Sequence, residues 1–336
     1  MTIPQSNVSV RTLSQTSDLS DTILESPSPI VVKGLVSSWP AVLQGKRSDQ
    51  ALINYLCQFD QNHLLTALIT PPESKGRIFY NDDFTGFNFE QVRTTLSKAL
   101  TQLEAFNKTD PTPGLYIGST HLGHWLPGFS EDNPLALPEK EPIASIWLGN
   151  HSRIAAHFDF PSNLACNVSG HRRVTLFPPE QINNLYVGPL DFTPAGQPIS
   201  LVDFNQPDWA RFPNFKTALE HAMVADLEPG DGLIIPSMWW HHIEATEPLN
   251  VLVNFWWRSS SNFLGSPLNV LQHALLGLRD LPEHQREIWK GLLNHYVFDF
   301  EPDSVAHVPE NARGILNPLD SDTAQRLKTM LRNQLN

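Results

Sequence analysis

The stretch PGDGLIIPSMWWHHIEATEPLNVLVNFWW (229–257) decides the fold class, because it contains two short apolar runs beside turn-forming residues. GLIIP (232–236) follows a Pro-Gly-Asp turn, and LNVLVNFWW (249–257) ends the stretch. Runs of this length between Gly and Pro residues are typical of β-strands joined by turns. Similar runs occur upstream, at LYIG (115–118), IASIWLG (143–149), HFDF (157–160), RVTLF (173–177) and MVADL (223–227). Many short strands of this kind predict a barrel or a double-sheet jelly roll.

The chain before this β-rich stretch has a mixed pattern. Residues 1–28 are rich in Ser, Thr and Asp and have little periodicity, which predicts a loosely ordered N-terminal arm unless something docks it. PIVVKGL (29–35) has the β-branched composition of a strand, and DQALINYLCQF (49–59) has the apolar spacing of a helix. Asn88 and Gln91 resemble a capping box in front of a further helix, FEQVRTTLSKALTQLEAF (89–106).

The chain after Arg258 returns to helical spacing. We expect three helices there, at LNVLQHALLGL (268–278), HQREIWKGLLNHYVF (284–298) and DTAQRLKTMLRNQLN (322–336). A barrel does not require these helices. Their apolar faces predict that residues 259–336 form the interface of a homodimer. The predicted organisation is therefore an arm (1–28), a β-rich domain with a mixed α/β N-terminal part (29–258) and a C-terminal helical region (259–336).

Length and composition exclude several classes of protein. The 336 residues are 40% hydrophobic, 10% aromatic and 17% charged, as in a folded globular protein. The net charge of −12 disfavours nucleic acid and anionic membranes as partners. Two cysteines rule out a disulfide framework, and the first 30 residues have no apolar core of a signal peptide. These features predict a cytoplasmic protein without a membrane span.

Two short segments carry residues that could hold a metal ion. In HFDFPSN (157–163), His157 and Asp159 are two residues apart, and on a strand such residues project to the same face. In the second segment, His241 and His242 are consecutive, so only one of them can join that pair. Two histidines and one carboxylate form the facial triad of non-haem Fe(II) oxygenases. Periodicity alone does not choose between the two histidines, and His242 with Glu244 forms a competing pair.

Several motifs, taken in order, resemble those of a known family. HFDFPSN, GHRRVTLFPPEQ (170–181), VDFNQPDWARFPNF (202–215), PGDGLIIPSMWWHHIEA (229–245) and VNFWW (253–257) look like the cupin-like branch of the JmjC oxygenases. The chain most resembles the asparaginyl hydroxylase that inhibits hypoxia-inducible factor. The resemblance implies a mainly β fold with flanking helices, namely a double-stranded β-helix of the jelly-roll cupin type. It also implies Fe(II) and the co-substrate 2-oxoglutarate.

The resemblance also assigns roles to individual residues. It makes His157, Asp159 and His241 the iron ligands, with His242 pointing away. It places Asn163 and Asn254 near the iron and co-substrate, gives Tyr116 a hydrogen bond to 2-oxoglutarate, and puts Trp256 in the wall of the pocket. Further indoles, at Trp239, Trp240 and Trp257, are candidates for that wall, and the Cys166 thiol could approach it, although a buried, inert cysteine is the favoured interpretation.

This sequence departs from the family pattern at two positions. Arg172 stands where the relative has the lysine that pairs with the distal carboxylate of 2-oxoglutarate, and Ile154 replaces a threonine. A guanidinium also grips a carboxylate, so Arg172 is the predicted partner, with Arg173 as the alternative if the register is shifted by one.

The function predicted on this basis is hydroxylation of a C–H bond, with a peptide or protein side chain as the substrate. One alternative is a non-catalytic cupin that binds a small ligand or a partner. Another is a different metal-dependent cupin enzyme, which a fourth ligand from His242 or Glu244 would indicate.

Overall fold

The computed structural model describes residues 6–12, 19–137, 140–194 and 196–335, and within them the chain forms two compact units. These units comprise residues 1–258 and 259–336. The strands are β1 (Ser6–Asn7), β2 (Ser9–Thr12), β3 (Ile30–Lys33), β4 (Leu65–Thr70), β5 (Arg77–Ile78), β6 (Glu90–Thr94), β7 (Gly114–His121), β8 (Ile143–Gly149), β9 (Ser152–His157), β10 (Ser162–Ser169), β11 (Arg172–Phe177), β12 (Met223–Leu227), β13 (Gly232–Ile235), β14 (Trp240–Ala245) and β15 (Asn250–Trp257). The helices are α1 (Asp21–Leu24), α2 (Pro40–Arg47), α3 (Asp49–Cys57), α4 (Leu96–Phe106), α5 (Leu122–Trp125), α6 (Phe129–Asp132), α7 (Phe215–Glu220), α8 (Pro267–Gly277), α9 (Glu283–Leu293) and α10 (Ser321–Gln334).

Two mixed sheets build the first unit. The smaller has the strand order β1-β12-β11-β14-β9-β5, and the larger has the order β2-β3-β13-β10-β15-β8-β7-β4-β6. An inner core joins the two sheets, since Val174 and Leu176 of β11 pack in one cluster with Leu233 and Ile235 of β13. The predicted mainly β, jelly-roll cupin fold with flanking helices is confirmed.

The larger sheet carries helices on its other face. Side chains of α2, α3 and α4 pack with alternate residues of β10 and β15 in the largest apolar cluster of the chain. Leu164 and Cys166 of β10 belong to this outer cluster, whereas Ala165, between them, belongs to the inner core. The period-2 alternation of a strand therefore gives each central strand of the sheet two apolar faces.

The sequence prediction of one long helix over 89–106 is wrong for its first part. Residues 90–94 form β6, which pairs antiparallel with β4, and the helix begins at Leu96. Phe89 and Val92 have helical spacing, but this segment forms a strand because it pairs with β4. Gln91 lies opposite Leu68, and Val92 lies opposite Ala67.

The predicted N-terminal arm falls partly outside the described residues, at 1–5 and 13–18. Its described parts contact the barrel. β1 pairs with β12 and β2 pairs with β3, both in parallel. The Trp239 indole donates to the Pro27 carbonyl at 3.1 Å, and Leu19 and Leu24 are buried in the outer cluster.

The second unit consists of α8, α9 and α10 with short helical turns between them, so helices are present where the sequence predicts them. Among its described residues, Val305 and Ala324 are buried, whereas many large apolar side chains are exposed. No helix in the described part of the chain is both long and apolar enough to cross a membrane.

Candidate metal centre

Strand pairing brings His157 and His241 together. His157 is the last residue of β9 and His241 is the second residue of β14, and the two lie opposite each other in the antiparallel ladder. Their ring centroids are 4.3 Å apart. The register between β14 and β9 shifts after His241, which indicates a local irregularity of the ladder beside the site.

Asp159 completes a group of three ligand atoms that all lie within 4.8 Å of one another. Its Oδ2 is 3.7 Å from Nε2 of His241. Atoms that bind one ion at about 2.1 Å lie about 3 to 3.5 Å apart, so the Asp159–His241 separation is slightly wider than in an occupied site. The loop between β13 and β14 holds the segment that follows β9 and contains Asp159. The Met238 amide donates to the Asp159 carbonyl at 2.9 Å, and the Ser237 hydroxyl donates to the Phe160 carbonyl at 2.6 Å.

Backbone carbonyls set the tautomer of both histidines. Nδ1 of His157 is 2.9 Å from the Ala155 carbonyl, and Nδ1 of His241 is 3.0 Å from the Trp239 carbonyl. A carbonyl only accepts, so each Nδ1 carries the proton and each Nε2 keeps its lone pair for a metal. Burial, followed by the nearby His157, lowers the pKa of His241 to about 4, which keeps this ring neutral at physiological pH.

His242 lies on the other face of β14. It is buried, its ring packs against Phe204 with centroids 4.4 Å apart, and its Nε2 is 3.9 Å from the Glu244 carboxylate. Neither His242 nor Glu244 joins the group formed by His157, Asp159 and His241. The structure therefore contradicts the four-ligand alternative and places His241, rather than His242, beside the His157–Asp159 pair.

A cavity of about 420 Å³ opens beside the three ligands. Every residue that the resemblance assigns to the co-substrate lines this cavity. Most of the other lining residues are uncharged. The lining includes Tyr116, Trp147, Ile154, Asn163, Arg172, Asn254 and Trp256, with Thr66, Leu68, Gly118, Ser119, Pro194 and Gln197 among the others.

Arg172 is the cation of this cavity. Its side chain is 4% exposed, and its Nε donates to Oδ1 of Asn167 at 3.1 Å. No carboxylate of the described residues lies within salt-bridge distance of its guanidinium. Burial lowers the pKa of Arg172 to about 10, so the group stays charged at neutral pH. A buried, charged guanidinium without an acidic partner is costly unless a ligand supplies the anion.

Tyr116 lies in the same cavity on β7. Burial raises the pKa of its hydroxyl, and the positive charge of Arg172 opposes that increase. The neutral hydroxyl is therefore a hydrogen-bond donor at physiological pH. Arg173, by contrast, points outward and pairs with Asp226 at 3.4 Å. The alternative in which Arg173, rather than Arg172, holds the co-substrate carboxylate therefore does not fit, because the Arg173 guanidinium lies outside the cavity.

The expected aromatic wall is only partly present. Trp256 lines the cavity, but Trp239, Trp240 and Trp257 pack in three different apolar clusters. Cys166 also faces away from the cavity, and burial raises the pKa of its thiol. This agrees with the favoured interpretation of an inert cysteine.

Sequence reasoning missed two residues of the site, Trp147 and Asn167. Trp147 on β8 lines the cavity, and Asn167 on β10 holds Arg172. Trp147 belongs to the run IASIWLG (143–149), whose pattern predicts only a strand, and Asn167 lies between the motifs HFDFPSN and GHRRVTLFPPEQ, outside both. Only the strand register, which places β8 beside β15, could have pointed to Trp147.

The fold and this grouping of two imidazoles and one carboxylate define a cupin-type jelly roll with a candidate mononuclear metal centre. The chain belongs to the family with a cupin-like domain, whose family model matches residues 16–263. This confirms the family that the sequence motifs predict.

Three relatives illustrate the range of similar proteins. HSPB1-associated protein 1 of Homo sapiens is 34% identical over 115 residues, which are 34% of this chain and 23% of that protein. Jumonji C domain-containing protein 5 of Drosophila melanogaster is 26% identical over 247 residues, 69% of this chain and 55% of that protein. tRNA wybutosine-synthesizing protein 5 of Gallus gallus is 28% identical over 148 residues, 40% of this chain and 43% of that protein. The matches thus span less than two thirds of each relative.

Proposed function

We propose that this protein is an Fe(II)- and 2-oxoglutarate-dependent oxygenase that hydroxylates a C–H bond. The observation that carries the proposal is the combination, in one cavity, of a three-ligand group and a buried guanidinium without an acidic partner. A cupin that only binds a metal ion needs the three-ligand group alone. A site for a keto-acid with two carboxylates also needs a cation that holds the second carboxylate.

The donor set fits Fe(II). Two imidazoles and one carboxylate suit a borderline divalent ion, and such a facial triad leaves coordination positions for co-substrates. His157 and His241 would bind through Nε2, because each Nδ1 proton is engaged by a backbone carbonyl. The Asp159 carboxylate would supply the negative charge.

The cavity also fits 2-oxoglutarate. Arg172 would hold one carboxylate through a charge-assisted hydrogen bond, and Tyr116 would be a further donor in the same cavity. Ile154 lines the cavity where the relative has threonine, so one hydrogen bond is absent, a loss of about 1 kcal/mol. The bidentate geometry available to arginine offsets that loss.

Bound iron and 2-oxoglutarate would supply the oxidising chemistry, by which one atom of dioxygen enters a C–H bond of the substrate and the other enters succinate as 2-oxoglutarate loses carbon dioxide. The chain's own contribution is to orient the ligands and to exclude water. Trp147, Trp256, Ile243 and Leu252 give the cavity apolar surface around the triad. Apolar walls of this kind strengthen the interaction of Arg172 with a bound anion.

The test is succinate release from 2-oxoglutarate by the purified protein, loaded with Fe(II) under air. We expect turnover that needs both the metal and the keto-acid and that stops when a chelator removes the metal. Failure to bind Fe(II) or 2-oxoglutarate at millimolar concentration would contradict the proposal and favour a non-catalytic cupin.

A peptide or protein side chain is the substrate we propose. The net charge of −12 disfavours a phosphate backbone, although one relative is named for tRNA wybutosine synthesis. Succinate release stimulated by a peptide library, and not by total tRNA, would support the proposal, and the reverse result would overturn it. A cytoplasmic location is proposed on the composition alone.

We also propose a homodimer formed through residues 259–336. Two helices of this unit expose Val270, Leu276, Ile288 and Trp289, each more than 40% accessible. Monomeric proteins rarely leave so much apolar surface in contact with water. Light scattering at micromolar concentration should give about twice 37.7 kDa, and Ile288→Glu should give the monomer, with Gln285→Glu as the matched exposed control on α9. A monomeric mass for the wild-type protein would refute the dimer.

A further inference from the structure

A row of hydrogen bonds connects Trp147, at the cavity wall, to Asp159. The Trp147 indole donates to Oδ1 of Asn254 at 2.7 Å, and the Asn254 amide donates to Oδ1 of Asn163 at 3.2 Å. The Asn163 amide in turn donates to Oδ2 of Asp159 at 3.4 Å. Asn163 and Asn254 are buried, so water does not replace these partners. The four residues come from β8, β15, β10 and the loop after β9.

The chemistry of the two ends gives this row one direction. An indole can only donate and a carboxylate can only accept, so the amides between them have a single consistent orientation. Asn254 must turn its oxygen toward Trp147, which leaves its NH₂ group for Asn163. Asn163 must then turn its oxygen toward Asn254, which leaves its NH₂ group for Asp159. The orientation of the Asn163 amide therefore depends on an indole two residues away in the row.

Neighbouring groups hold the Trp147 ring in place. It meets Trp256 edge to face, with centroids 5.7 Å apart and planes at 88°. It also lies beside Tyr116, with ring centroids 6.3 Å apart, and beside Gly118, where an added Cβ would lie 3.2 Å from the ring. Trp256 also donates to Oδ2 of Asp159, at 3.1 Å. Both donors to this oxygen are therefore connected to Trp147, one by hydrogen bonds and the other by ring packing.

We propose that Trp147 is a positioning residue that orients the Asp159 carboxylate through Asn254 and Asn163. The proposal rests on the proposed function in one respect, namely that Asp159 is a metal ligand. Because Trp147 also lines the cavity, a group that binds against its ring can alter the orientation of the carboxylate. The row thus couples occupancy of the cavity to the metal centre. Partners of metal ligands typically change metal affinity by about 10- to 100-fold.

The experiment measures binding of Mn²⁺ alone, by electron paramagnetic resonance, to metal-free protein without 2-oxoglutarate. Trp147→Phe keeps an aromatic side chain, although a smaller one, and removes the donor, and we expect about tenfold weaker binding. Asn254→Leu removes both the acceptor for Trp147 and the donor to Asn163 without adding a charge, so nothing fixes the orientation of the Asn163 amide. We expect about a hundredfold loss for this variant.

Trp257→Phe is the matched control. Trp257 is buried on β15, packs in the outer cluster, and has an indole nitrogen without a hydrogen-bond partner among the described residues. Removing this nitrogen should leave Mn²⁺ affinity unchanged. If Trp147→Phe and Asn254→Leu bind Mn²⁺ as tightly as the wild type, the positioning role is refuted while the metal centre stands.

A second readout needs no metal and separates the two proposals. In metal-free protein, Asp159→Ala removes the acceptor at the far end of the row, so the Trp147 indole N–H resonance should shift and exchange faster with solvent. An unchanged resonance would overturn the row, whether or not the wild-type protein binds metal. A shifted resonance in a protein that does not bind Mn²⁺ would instead contradict the proposed function and leave the row intact.

Discussion

Asp159→Ala should abolish 2-oxoglutarate turnover and weaken metal binding by about a thousandfold or more. Two unit charges 4 Å apart interact by about 4 kcal/mol at an effective dielectric constant of 20, and 1.4 kcal/mol corresponds to tenfold in affinity. A divalent ion in direct contact with a carboxylate gains at least as much. His157 and His241 would remain, but an imidazole that binds a metal ion carries no negative charge, so the variant loses all the negative charge of the three-ligand group. Succinate release and Mn²⁺ affinity provide two measurements of the same loss.

The control for this variant is Asp226→Ala. Asp226 is about half exposed on β12 and pairs with Arg173 outside the cavity, so its removal should leave both measurements unchanged. Melting temperatures of the two variants show whether either change disturbs the fold. Asp159→Ala also leaves the half-buried Trp256 indole and the buried Asn163 amide without an acceptor, and the loss at the buried amide costs about 1–3 kcal/mol of stability. A folded Asp159→Ala protein with wild-type turnover would rule out the metal centre.

The position of the metal ligands shows what sequence could and could not predict. The spacing of His157 and Asp159 predicts two side chains on one face of a strand at 157–160, but β9 ends at His157 and Asp159 lies in the loop that follows, so the two ligands come together without that strand. The choice between His241 and His242 depends on how β14 pairs with β9, and the ladder places His241 opposite His157. That register is a long-range property, so periodicity left the choice open and only the family resemblance decided it.

Two of the failures of sequence reasoning have related causes. Residues 90–94 have helical spacing, but pairing with β4 makes them a strand, because tertiary contacts outweigh a weak local preference. Trp147 lies in a strand that is apolar on both faces, and its partner Asn254 is 107 residues away along the chain. Nothing in the run IASIWLG distinguishes a tryptophan that donates to the site from one that fills the core.

Arg172 should determine the affinity for 2-oxoglutarate, and Arg172→Gln should raise its Michaelis constant by about 30-fold to several thousandfold. Removing one partner of a buried charge pair costs about 2–5 kcal/mol, which corresponds to that range. The metal ligands are untouched, so Mn²⁺ affinity measured without 2-oxoglutarate should stay at the wild-type value. The measurement is succinate release as a function of 2-oxoglutarate concentration, with direct binding as a second readout.

The neighbouring arginine provides the matched control, because Arg172 and Arg173 differ in the face of β11 that they occupy. Arg173→Gln removes the same charge from the outer face, where the guanidinium is about half exposed and pairs with Asp226, and should leave the Michaelis constant unchanged. Arg172→Lys should recover part of the affinity, since it restores the charge but not the planar fork. Equal effects of the Arg172 and Arg173 changes would mean that the buried charge does not bind the keto-acid. An effect of Arg172→Gln that lysine partly reverses ties the loss to the charge, because a purely structural role of the Asn167 contact would not depend on a cation.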